Sequence, residues 1–184
     1  MERYARGDDA AFGDLHDVMR PRLFGFIRRQ VRDDAMAEDL VQQAFLQMHR
    51  ARGQFIRGAE VVPWAFAIAR HLVCDSMRRR RAAAKFTGQI ESADDVDERP
   101  STDPGADDLL RAREMAVRLE EEMSRLPDSQ RIAFELLKHD GLSLSQAAAV
   151  LGITVTAVKM RAHRAYIALG AALGDLEDEG ASEP

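Results

Sequence analysis

Thr156, Lys159, Met160 and His163 recur at a spacing that sets their side chains on one face of a helix, with Arg161 and Arg164 on its flanks. The face is rich in donors and positive charge. A helix fits the major groove of duplex DNA, where Lys and Arg reach guanine edges and phosphates, so these residues can recognise bases and backbone. A solvated basic face on a small bundle is the plainer reading. A second group, Arg78, Arg79, Arg80 and Arg81, places four cations in a row. At a helix C-terminus they suit the dipole, yet adjacent like charges repel, a cost most readily offset by a polyanion lying opposite. Trp64 precedes them and reads equally as core or as a platform for an unstacked base.

Enzyme chemistry finds no support in the same residues. No phosphate-cradling Gly loop, HExxH motif or nucleophile with a base at a recognised spacing occurs, so neither catalysis nor a cofactor is expected. His71 and Cys74 stand at i and i+3 without a third ligand, which excludes a convincing metal centre and leaves Cys74 as a packing residue.

The elements that must carry the basic face are two short helices around a glycine. Ser143, with Gln146 three residues on, predicts a capping box, and Ala147, Ala148 and Leu151 supply an inward face. Gly152 ends that helix. Thr154 caps the next, whose stripe is Val155, Val158, Ala162, Ala165 and Leu169. Ala148 lies four positions before the glycine, where steeply crossing helices leave no room for bulk, and Val158 lies six after it. That is the spacing of a helix-turn-helix.

The 184 residues are 46% hydrophobic and 31% charged, enough for one domain or two small ones. The net charge of −5 conceals a partition: residues 1–90 carry +5, 91–123 carry −8, 124–174 carry +3 and 175–184 carry −5. Polyanion binding depends on local patches, so the basic blocks outweigh the acidic total. A single cysteine excludes an internal disulfide and favours a reducing compartment. No span approaches the ~20 apolar residues that cross a bilayer, so a cytoplasmic protein without membrane insertion is expected.

The remaining chain reads as helices. One opens over Arg6 to Phe12, with Asp8 and Asp9 in its first turn and Phe12, Leu15, Val18 and Met19 inward, until Pro21 interrupts or kinks it. Leu23, Phe24, Phe26, Ile27 and Val31 resume the stripe. A second helix runs from about Met36 to Arg50, burying Leu40, Val41, Ala44, Phe45 and Met48 and leaving an outer face of carboxylates and amides. Gly53 to Glu60 is a loop rich in Gly and Arg. A third helix runs from Pro63 to about Arg81. Glu91 to Gly105 has the composition of a disordered linker, after which Leu110, Ala116, Val117, Leu119 and Met123 mark one helix and Ile132, Ala133, Leu136 and Leu137 another. The fold class is therefore all-α, two small helical domains joined by a flexible acidic linker, the C-terminal one a helix-turn-helix.

AEDLVQQAF (Ala37 to Phe45), PWAFAIARHLVCDSMRRRR (Pro63 to Arg81) and LPDSQRIAFELLKHDGLSLSQAAAVLGITVTAVKMRAHRA (Leu126 to Ala165) together resemble the bacterial RNA polymerase sigma factors of the extracytoplasmic-function (ECF) group. The order of the three segments and the acidic linker also fit that group. The resemblance implies a region 2 domain over residues 1–85, a linker over 86–107, a region 4 domain over 108–174 and an acidic tail over 175–184. It implies that Asp39, Gln42 and Gln43 bind core RNA polymerase, Gln43 standing where Glu is commoner. It further implies that Phe55, Arg57, Trp64 and His71 hold bases of the minus-ten promoter element, with Arg78 to Arg81 on phosphates. His71 stands where the family often has Asn. Thr156, Lys159, Met160, Arg161, His163 and Arg164 are then placed at the minus-thirty-five element, Met160 where a small Ser is common. Core RNA polymerase, promoter DNA and an anti-sigma factor are the implied partners. The alternative from another class is an autonomous helix-turn-helix repressor or activator, which leaves the Trp64 helix and its arginines as an unexplained second nucleic-acid site.

Overall fold

The computed structural model describes residues 1–87 and 106–179. Every regular element among them is helical: α1 (Glu2–Ala5), α2 (Ala10–Val31), α3 (Asp34–Ala51), a 3-10 turn (Arg52–Gln54), α4 (Val61–Thr87), α5 (Ala106–Arg125), α6 (Asp128–Lys138), α7 (Leu144–Leu151) and α8 (Val155–Glu179). The chain divides into two compact units. The expected linker falls almost wholly outside the described residues, and so does the end of the acidic tail; the tail's first half is the end of α8.

In the first unit α2, α3 and α4 pack against one another. Met19, Leu23, Phe26 and Ile27 of α2 are fully buried with Ala37, Val41, Ala44 and Met48 of α3 and Ala65, Phe66 and Ala69 of α4. The Phe26 and Phe66 rings stand 5.2 Å apart, within the range of favourable aromatic pairs. Small buried alanines on α3 and α4 suit close approach of helices, and the aromatic pair joins α2 to α4.

Three sequence expectations change here. Of the two outcomes expected at Pro21, interruption does not occur, for the proline lies inside α2; it faces solvent, where water can satisfy the carbonyl it leaves unpaired, while Met19 and Leu23 on either side are held in the core. Val18, expected inward, is 62% exposed. The first helix is also not continuous from Arg6: α1 ends at Ala5, Gly7 turns at φ +95, and the Asp8 carboxylate accepts from the Ala11 amide as α2 begins. The α2–α3 junction is a short polar turn at Arg32 and Asp33. Arg32 closes α2 in the left-handed region at φ 52, and Asp33 caps α3 by accepting from the Met36 amide at 2.9 Å.

In the second unit α6 and α5 pack on α8. Ala133, Leu136, Ala147, Val158, Ala165 and Leu169 are buried. Ala116 and Val117 of α5 and Val155 of α8, expected in apolar stripes, are exposed. Glu135 is buried beside Arg131, whose guanidinium donates to it at 3.2 Å and also meets Asp128 at 3.0 Å. A buried carboxylate is tolerated only with such a partner.

Candidate nucleic-acid interface

The geometry of the turn fixes where α8 presents its side chains. The Ser143 amide donates to the Gln146 side-chain carbonyl at 2.8 Å and the Gln146 amide to the Ser143 hydroxyl at 3.2 Å, a reciprocal capping box. Gly152 adopts φ +65, and the Ile153 amide returns to the Ala148 carbonyl at 3.2 Å, the closure of a Schellman motif. Thr154 then caps α8 by accepting from the Ala157 amide at 3.2 Å. The capping box, the break at Gly152 and the Thr154 cap are as the sequence predicts.

Beyond that turn Thr156, Lys159, Met160, His163 and Arg164 are exposed and Arg161 is half-buried. No hydrogen bond or ion pair among the described residues engages the side chain of any of the six. Cations held without a protein partner remain available to an external anion, whereas paired ones must first exchange. His163 also lines an open groove of about 240 Å³ with Phe134, Leu137, Lys138, Ala162 and Tyr166.

In the first unit the loop and the start of α4 are brought together. The Phe55 and Trp64 rings meet edge to face at 5.1 Å, and both residues are half-buried. Trp64 is thus neither a full core residue nor a bare platform. Arg57 is 84% exposed, with Glu2 at 4.0 Å. His71 is exposed one helical turn before Cys74, and Cys74 is exposed too, against its expected packing role. No group of three or more metal-ligating side chains occurs among the described residues.

The four arginines do not act alike. Arg78 and Arg79 both face the Asp75 carboxylate, Arg78 at 3.7 Å. Arg80 is half-buried with its guanidinium on the Met36 sulfur at 3.5 Å, and Arg81 is exposed. Asp75, one turn back on the same helix, relieves part of the repulsion that sequence adjacency implies. The pairs are solvent-exposed and therefore weak enough to be given up to phosphate. On α3 the Asp39, Gln42 and Gln43 side chains are exposed and unengaged among the described residues. Glu2 and Tyr4, which touch the loop and its base, were not singled out from the sequence; no periodic signal marks a four-residue helix.

A helix-turn-helix unit with a free basic face, paired with a second helical unit, defines a DNA-binding protein. Comparison with known proteins makes the class definite. The Sigma-70 region 2 model matches residues 15–83, and the model described as Sigma-70, region 4 matches residues 116–169. The chain is 35% identical over 179 residues to the RNA polymerase sigma factor CarQ of Myxococcus xanthus, covering 97% of this chain and 98% of that protein. It is 33% identical over 170 residues to the ECF RNA polymerase sigma factor SigF of Caulobacter vibrioides, covering 92% and 89% respectively. The sigma factor RpoE of Bartonella quintana, solved in complex with the anti-sigma factor NepR, shares the fold at a TM-score of 0.73 with 23% identity over 89% of this chain and 97% of that one. The chain belongs to the RNA polymerase sigma factors of the ECF group, proteins of transcription initiation. Matches to both regions in one chain do not favour an autonomous helix-turn-helix regulator. None of the described helices is long and apolar enough to cross a membrane.

Proposed function

We propose that this sigma factor divides promoter recognition between its two units. Thr156, Lys159, Met160, His163 and Arg164 meet the minus-thirty-five element in the major groove, with Arg161 bracing the helix or reaching a phosphate. Phe55, Arg57, Trp64 and His71 receive unstacked bases of the minus-ten element, and Arg78 to Arg81 hold adjoining phosphates. Asp39, Gln42 and Gln43 dock on core RNA polymerase. The observation that carries this reading is the α8 face, where exposed cations and donors stand without any described partner on the second helix of a helix-turn-helix.

Chemistry supports each assignment. Met160 has no hydrogen-bond code and suits apolar contact with a thymine methyl. A base captured on Trp64 and Phe55 recovers ~1 to 3 kcal/mol of stacking, which offsets unpairing. The guanidinium groups at the end of α4 add salt-dependent affinity without sequence choice. A face of one carboxylate and two amides on α3 gives specificity to an interface that must form and release. On this reading the chain acts in the cytoplasm, has no catalytic activity of its own, uses no cofactor, and is held in reserve by an anti-sigma factor that binds its two units.

The test is run-off transcription from a promoter library with purified core polymerase, with and without the protein. Transcripts that appear only with it, sharing two upstream elements, are the expected result. Duplex promoter binding by the chain alone, unaffected by core polymerase, would return the autonomous regulator.

A further inference from the structure

We infer that the N-terminal helix α1 is a brace for the loop of residues 55–60, and that Glu2 is a positioning residue for minus-ten recognition. The inference rests on the assignment of that loop to the minus-ten element. The loop has little of its own to hold it: the Phe55 amide donates to the Arg52 carbonyl at 3.3 Å, the Ala59 amide donates to the Ile56 carbonyl at 3.0 Å, and Gly58 turns at φ +81. Ile56 is 75% exposed and contributes little packing. Phe55 also meets the Trp64 ring at 5.1 Å, and a further tie comes from the start of the chain. One Glu2 carboxylate oxygen accepts from the Gly58 amide at 2.9 Å, and the other faces Arg6 at 3.5 Å and Arg57 at 4.0 Å.

A four-residue helix cannot hold a loop unless it is itself anchored, and Tyr4 supplies the anchor. Its side chain is 1% exposed, its hydroxyl hydrogen-bonds the His49 Nδ1 at the end of α3, and the Arg52 guanidinium lies over its ring at 5.4 Å. Tyr4 also packs on Phe12 of α2, with ring centroids 5.2 Å apart. The Arg3 guanidinium donates to Asp8 at 2.9 Å, closing the turn behind α1 and holding the Asp8 carboxyl below the usual carboxylate range. The buried tyrosine thus fixes α1 to the helix that ends where the loop begins, and Glu2 carries that fixity to the loop's turn. A loop that must receive one unstacked base gains discrimination from being held before the base arrives.

The decisive variants separate hydrogen bond from charge. Glu2→Gln keeps an oxygen for the Gly58 amide and removes the charge beside Arg57; Glu2→Ala removes both. Two readouts on the full chain are compared: acrylamide quenching of Trp64, the chain's one tryptophan, and discrimination among promoters substituted singly in the minus-ten or minus-thirty-five element, scored with core polymerase. Glu2→Ala is expected to raise Trp64 quenching through the Phe55 contact. It is also expected to lower minus-ten discrimination roughly two- to tenfold, the worth of one hydrogen bond, and to leave minus-thirty-five discrimination intact. Glu2→Gln should match the parent in both. Unchanged quenching in Glu2→Ala, or Glu2→Gln behaving like Glu2→Ala, overturns the brace. Phe55→Ala and Arg57→Ala are run alongside. If neither alters minus-ten discrimination, the loop's assignment fails and the inference falls with it. If either does while Glu2→Ala does not, the assignment stands and the brace alone is wrong.

Discussion

Lys159 illustrates how one residue's surroundings set its role. Its ammonium stands exposed and without a described partner one turn into α8, beside Thr156 and His163. Of the two targets open to a major-groove cation, a guanine edge and a phosphate, only the phosphate gives counterion release with little base choice. We assign this early-turn Lys to the phosphate. Lys159→Ala should weaken promoter binding by the polymerase complex about equally across minus-thirty-five variants, and lower the slope of log affinity against log salt by about 1. A filter-binding salt series measures it; an unchanged slope would place Lys159 away from the backbone. Arg79 should behave differently, because it already meets Asp75 and gains from DNA only the difference between two ion pairs.

Among the elements, the helix-turn-helix depends on two small devices. Ser143 and Gln146 satisfy each other's amides at the start of α7, and Gly152 supplies the left-handed residue at its end. Ser143→Ala should destabilise the second unit by about 1 kcal/mol in urea denaturation. Gly152→Ala should cost about 1 to 2 kcal/mol, because an added Cβ meets nothing within 4 Å and the whole penalty is the backbone conformation at φ +65. A much larger loss at Gly152 would reveal a steric contact that the geometry does not contain.

Across the whole molecule, each unit has an apolar core of its own. Phe66 is fully buried against Phe26 in the first, and Leu136 is fully buried in the second. Phe66→Ala should therefore cost about 3 to 5 kcal/mol and strip hydrogen-exchange protection from α2, α3 and α4. Amides of α6 and the first half of α8 should keep theirs. Loss of protection in both units together would mean that they fold as one cooperative body. Uncoupled stability would accord with the proposed division of promoter recognition between the two units.

Much of this was legible in the residues alone, because the signals are short-range. The all-helical class, the outward set on α8, the exposed carboxylate and amides on α3, and both caps of the turn follow from periodicities of three and four and from partners within six positions. Such patterns carry their own geometry. Tertiary structure decided the rest. Val18, Val117 and Val155 are apolar and helical in spacing yet face outward, since a stripe is wider than the neighbour that covers it. Glu135 is buried because its own Arg131 makes burial tolerable, Pro21 stays within α2 because the core on either side holds the helix, and Trp64 takes Phe55 as its partner only once the loop returns to α4. The tie from Glu2 to Gly58 spans 56 residues. No local pattern encodes it, because it exists only after α2, α3 and α4 have packed and Tyr4 has fixed the start of the chain to the end of α3.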